Sequence, residues 1–128
     1  MTRVAIVGAG VMGCATAWAL AERGAEVTLV EQFDDVDHTR GSSHGRTRIV
    51  RLAYPDPYWV RLAQEAYAGW RDLEVRSGRE LLDLVGLVEI APAVDLTTRD
   101  ALDACGVEHT LAAEVGGVVI PAGWTALF

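Results

Sequence analysis

Apolar residues come first in a short run and then at changing intervals. Arg3-Val4-Ala5-Ile6-Val7 is apolar after its first residue, rich in β-branched side chains and closed by Gly8. That pattern predicts a strand buried on both faces of a parallel sheet. Val11 to Arg23 reads as a helix stopped by Gly24, with Arg23 in the last turn, where a cation favours the helix dipole. Ala25 to Glu31 returns to strand character through Val27, Leu29 and Val30. The three pieces make one βαβ unit, for which a right-handed crossover is expected.

Gln32 to Ser43 is polar and turn-rich, and Arg48 to Ala53 reads as extended. Asp56-Pro57 opens the clearest helix. Asp56 can cap it, Pro57 suits its first position, and Trp59, Leu62, Ala63, Ala66, Tyr67, Trp70 and Leu73 recur at helical spacing before Gly78. This aromatic stripe is expected to be core packing. Two apolar stretches between Glu80 and Ala91, split at Val85-Gly86, predict an antiparallel hairpin. A short helix follows from about Thr98 to Cys105, ending at Gly106, and Val107 to Leu111 reads as one more strand. The chain ends at Leu127-Phe128 without the polar tail of a finished domain, so a truncated piece is expected.

Composition narrows the classes of partner. The chain has 128 residues, 51% of them hydrophobic, which suffices for a core. Eleven basic against eighteen acidic residues leave a net charge of −7, and the pI is near 4.8. Nucleic acid and anionic membrane surfaces are therefore poor partners, and small molecules are expected instead. All eleven basic residues are arginine, so no step that needs a titrating lysine amine is available. Cys14 and Cys105 make neither a C-x-x-C pair nor a metal-ligand spacing, which fits a reducing, cytoplasmic setting. Val4 to Ala21 carries no charge and imitates a signal peptide, but Gly8, Gly10 and Gly13 interrupt it at the spacing of a dinucleotide site.

Gly8-Ala9-Gly10-Val11-Met12-Gly13 fits G-x-G-x-x-G between a strand and a helix. The first glycine permits the tight turn, the second lets backbone approach a pyrophosphate, and the third lets helix pack on strand. The helix N-terminus then faces the phosphates. Glu31, eighteen positions after Gly13, is placed to accept from both hydroxyls of an adenosine ribose and to repel a 2′-phosphate. The fingerprint does not separate flavin from nicotinamide dinucleotides. A second feature bears on that choice. Gly41-Ser42-Ser43-His44-Gly45-Arg46-Thr47-Arg48-Ile49-Val50-Arg51 holds three arginines and a histidine with no carboxylate, inside an acidic chain. Cations this close repel one another unless an anionic ligand or solvent absorbs the field, so an anion is expected nearby. Asp34, Asp35, Asp37 and His38 fit no metal-ligand pattern and read as a solvated loop.

Placed behind Gly8-Ala9-Gly10 and Glu31, this basic run closely resembles the monomeric sarcosine oxidase and N-methyltryptophan oxidase family, FAD-dependent amine oxidases of the D-amino-acid-oxidase-like kind. The resemblance implies an α/β chain: the N-terminal part of a Rossmann-like FAD-binding domain over residues 1–78, then the beginning of an antiparallel substrate-domain sheet over 79–128. It implies FAD as cofactor, with Gly8, Gly10, Gly13 and Glu31 on its ADP half and Ser42, Ser43 and Arg51 also in the cofactor site. His44, Arg48 and Arg51 are implied at the isoalloxazine ring and the active site. A cation there would stabilise reduced flavin, and His44 could tune the protonation of the amine. For Arg46 a solvated surface position is the preferred reading.

The implied reaction is oxidation of the CH–NH bond of a secondary amine such as sarcosine, with oxygen as partner and hydrogen peroxide as product. Two family features have no counterpart: a cysteine that tethers the flavin, whose position neither Cys14 nor Cys105 matches, and a lysine implicated in oxygen activation. An inactive fragment or nucleotide-binding module is therefore the first alternative, and an NAD-dependent dehydrogenase the second. The first strand is also expected to lack a neighbour from later sequence, leaving a sheet edge open for association.

Overall fold

A computed structural model describes residues 1–35, 40–92, 96–112, 114–115, 118–119 and 124–127. The chain is α/β and divides into two compact units, Met1–Ile49 and Val50–Phe128.

The first unit is a βαβ. Strand β1 (Arg3–Val7) leads to helix α1 (Val11–Glu22) and strand β2 (Glu26–Val30), and β2 pairs parallel with β1 from Arg3 opposite Glu26 to Val7 opposite Val30. Gly24 ends the helix region with φ +79°. Its N–H donates to the Ala21 carbonyl at 2.8 Å, while Arg23 Nη1 donates to the Ala19 carbonyl at 2.7 Å. The predicted burial of the first strand on both faces is not what forms. Burial alternates along β1, with Val4 and Ile6 half-buried and Val7 90% exposed. One pleat face is covered, and the other has no cover among the described residues. Helix α1 is apolar all round, yet none of its side chains is buried.

The second unit opens with α2 (Pro57–Ser77), which starts and stops as its sequence dictates. Asp56 Oδ1 accepts the Tyr58 N–H at 2.8 Å, Pro57 occupies the first turn, and Gly78 closes the helix in the left-handed region at φ +66°. The core is where α2 meets α3 (Thr97–Ala104): Val60, Ala101 and Leu102 are buried, with Leu52, Tyr54, Cys105 and Val107 packed around them. The expectation that the whole aromatic stripe is core needs correction. Val60 is the buried residue of α2, whereas Trp59 and Leu62 are 51% and 44% exposed, because α3 packs on the neighbouring stripe.

Strands β3 (Glu89–Pro92), β4 (Leu111–Ala112), β5 (Glu114–Val115), β6 (Val118–Val119) and β7 (Trp124–Leu127) complete the unit. The order β3-β7-β4 makes one antiparallel sheet, and β5 pairs antiparallel with β6. The hairpin expected across Glu80–Ala91 is absent: residues 80–88 form no strand, and β3 pairs with β7 instead. The cause lies in Glu74. Its Oε1 accepts the Leu81 and Leu82 N–H groups at 2.7 and 2.8 Å, which removes donors from the arm that would have paired. The strand expected over Val107–Leu111 is likewise displaced to Leu111–Ala112. The Val107 N–H is used on the Leu102 carbonyl at 3.0 Å to close α3, with Gly106 at φ +66°. Arg48 to Ala53, read as extended, forms no strand. No helix among the described residues is long and apolar enough to cross a membrane.

Candidate functional site

The site grows from the turn that joins β1 to α1. Gly8 leaves the sheet at φ +99°, and its N–H donates to the Val30 carbonyl at 2.7 Å, so the turn is anchored to the end of β2. Gly13 sits where the first turn of α1 passes back over Gly8. A Cβ there would stand 1.8 Å from the Gly8 carbonyl oxygen, so only glycine permits the approach. Gly10 differs: a Cβ there would meet nothing closer than Ser43 Oγ at 3.7 Å. Glycine at that position leaves open space at the mouth of the helix rather than relieving a clash within the chain.

Behind the turn the Glu31 carboxylate is fixed by backbone donors. Ala9 N–H reaches Oε2 at 2.8 Å, and Gln32 and Phe33 N–H reach Oε1 at 2.7 and 3.3 Å. Ala9 is buried, and its carbonyl accepts the Cys14 thiol at 3.1 Å. The acid at the end of β2 is therefore held to the middle of the glycine turn. At the other side Ser43 Oγ accepts the Val11 N–H at 3.3 Å, and the first turn of α1 carries no acidic residue. Backbone N–H groups and the positive end of the helix dipole are thus collected at one place. This cradle, with a fixed carboxylate on its flank and clearance at Gly10, has the shape and polarity that a dinucleotide would need.

The basic run forms an exposed loop that borders the cradle through Ser43. His44 Nδ1 lies against the Gly41 carbonyl. Arg48 turns inward on its own loop, with Nε on the Ser42 carbonyl at 2.9 Å and Nη1 on the Thr47 carbonyl at 2.7 Å. Arg46 is exposed. Arg51 belongs to the second unit, where its exposed guanidinium stacks on the Tyr54 ring at 5.2 Å. Of the residues singled out from sequence, Gly8, Gly10, Gly13, Glu31 and Ser43 are therefore brought together, and Ser42, His44 and Arg48 share the adjoining loop.

Sequence reasoning missed Ala9, whose contribution is a backbone N–H and so has no side-chain signature. Beside Glu31, the Arg40 guanidinium lies 5.0 Å from the centroid of the Phe33 ring. Asp37, His38 and Phe128 lie outside the described residues.

Comparison with known proteins places the chain. Residues 3–123 match the DAO family, described as FAD dependent oxidoreductase. Peroxisomal sarcosine oxidase of Mus musculus is 45% identical over 76 residues, covering 59% of this chain and 19% of that protein. Probable sarcosine oxidase of Arabidopsis thaliana is 33% identical over 132 aligned positions, covering 94% of this chain and 31% of that protein. Monomeric sarcosine oxidase of Bacillus sp. (strain B-0618) is 31% identical over 136 aligned positions, covering 98% and 35%. The chain spans between about a fifth and about a third of the length of these curated relatives. With the glycine turn, the fixed acid and a match over residues 3–123, the chain belongs to the DAO family of FAD-dependent oxidoreductases.

Proposed function

We propose that this chain carries the dinucleotide-binding part of an FAD-dependent amine oxidase that acts on secondary amines such as sarcosine. The observation that carries the reading is the Gly8–Gly13 turn with Glu31 held to Ala9 at 2.8 Å, in a chain that aligns with sarcosine oxidases over nearly its whole length. Gly8 shapes the turn, Gly10 leaves the backbone open to the pyrophosphate, Gly13 lets α1 pack close so that its N-terminus faces the phosphates, and Glu31 accepts from the ribose hydroxyls. Ser42 and Ser43 border the phosphates. His44, Arg48 and Arg51 are assigned to the reacting end: the arginines supply positive charge for the anionic groups there, and His44 takes a proton from the ammonium form of the substrate. In functional terms residues 1–78 serve the dinucleotide and 79–128 open the sheet that faces substrate.

FAD, when bound, supplies the acceptor for two electrons and two protons leaving the C–N unit; water then hydrolyses the imine, and oxygen is reduced to hydrogen peroxide. A cytoplasmic setting is part of the proposal, although the mouse relative is named as peroxisomal. Purified chain reconstituted with FAD is expected to show flavin absorption bands that bleach when sarcosine is added without oxygen, and to release peroxide when oxygen returns. A yellow chain that never bleaches with secondary amines would reject turnover and leave dinucleotide binding. A chain that cannot be reconstituted with FAD rejects both.

A further inference from the structure

One side chain folds the basic loop back on itself. Arg48 Nε holds the carbonyl of Ser42, six positions upstream, while Nη1 holds the carbonyl of its immediate neighbour Thr47. Gly45 lies within this arc at φ +93°, and a Cβ there would stand 3.2 Å from Arg48 Nη1. The backbone conformation calls for glycine at that position, and a Cβ there would press on the guanidinium. The tethered Ser42 carbonyl belongs to the same planar peptide unit as the Ser43 nitrogen, so fixing one limits the direction in which the Ser43 side chain departs. Ser43 Oγ in turn accepts the Val11 N–H at the start of α1.

We propose that Arg48 is a positioning residue: by clasping the Ser42 carbonyl over Gly45, it holds Ser43 Oγ on the Val11 N–H and sets the loop that borders the phosphate-facing end of α1. This role is separate from any charge Arg48 presents at the reacting end. Its functional side rests on the dinucleotide reading of the Gly8–Gly13 turn, whereas the clasp is a property of the chain without ligand. A guanidinium can donate from Nε and Nη1 at once through a rigid fork. A lysine ammonium keeps the charge but has one nitrogen and cannot reproduce that fork. Arg48→Lys therefore separates geometry from charge.

The test reads both sides. The Val11 amide resonance of the ¹⁵N-labelled full chain reports the Ser43 contact without ligand, and FAD titration reports the site. Ser43→Ala defines where the Val11 resonance lies once the hydrogen bond is gone. Arg48→Lys and Gly45→Ala are each expected to move it to that position and to weaken FAD binding about three- to tenfold, as Ser43→Ala does. Because all act through one contact, Arg48→Lys combined with Ser43→Ala is expected to bind no more weakly than the weaker single variant. A Val11 resonance that stays at its wild-type position in both Arg48→Lys and Gly45→Ala overturns the proposal, as does a double variant whose losses multiply. Gly45→Ala provides an independent route to the same readout if Arg48→Lys folds poorly. If the Val11 shift follows expectation but no chain binds FAD, wild type included, the clasp stands and the dinucleotide reading fails.

Discussion

Gly13 and Gly10 are glycines for different physical reasons, and substitution separates them. At Gly13 a methyl group would overlap the Gly8 carbonyl at 1.8 Å, so the turn and helix α1 must move apart. Gly13→Ala is expected to lower stability by about 1–3 kcal/mol, seen as a lower melting temperature and a loss of FAD binding. At Gly10 the same methyl group meets only Ser43 Oγ at ordinary contact distance. Gly10→Ala is expected to melt within a few degrees of wild type while binding FAD at least tenfold more weakly, because the added carbon would stand where the proposed pyrophosphate approaches. Equal losses of stability in the two variants would contradict this division. The spacing of the glycines and of Glu31 was readable because each is a distinct residue type at a distinct interval. The Ala9 N–H that holds Glu31 was not, since every residue type except proline offers the same donor.

Among the elements, those whose ends carry their own chemistry were readable, and those that depend on distant donors were not. Helix α2 begins at Asp56-Pro57 and ends at Gly78, three residues that specify its limits locally. The hairpin expected around Gly86 failed because Glu74, on α2, takes the Leu81 and Leu82 N–H groups, a contact seven and eight residues long that no periodicity announces. Glu74 also pairs with Arg71 at 2.6 Å, and its side chain is 12% exposed. The two backbone donors, first Leu82 and then Leu81, and next Arg71 hold its carboxyl down from an ordinary value near 4.5 to about 2. A carboxyl depressed in the folded state stabilises the fold above its unfolded value and loses that contribution as pH falls toward the folded one. The stability difference between wild type and Glu74→Gln is therefore expected to be full at pH 5 and to shrink between about 4.5 and 2, measured as the gap between their urea midpoints. A gap that stays constant over that window would show that the carboxylate is not what ties α2 to residues 81 and 82.

For the molecule as a whole, the informative feature is what the first unit leaves open. Among the described residues β1 pairs only with β2 and β2 only with β1, so each strand has one unpaired edge, and α1 beside them has no buried side chain. The unbroken apolar run of β1 led to an expectation of burial on both faces because sequence records what a strand is suited to touch, not what is present to touch it. Val7, 90% exposed, makes the gap concrete. Open strand edges and apolar surface favour contact between copies, so sedimentation at high concentration is expected to show species larger than the 13.8 kDa monomer. A sharp monomer boundary together with cooperative melting would count against it. A fold supported partly by its own neighbours does not have one fixed melting temperature: by mass action the midpoint should climb as the solution is made more concentrated and fall on dilution. The open edge of a two-stranded sheet would thereby make dose a variable in the thermodynamics of this chain.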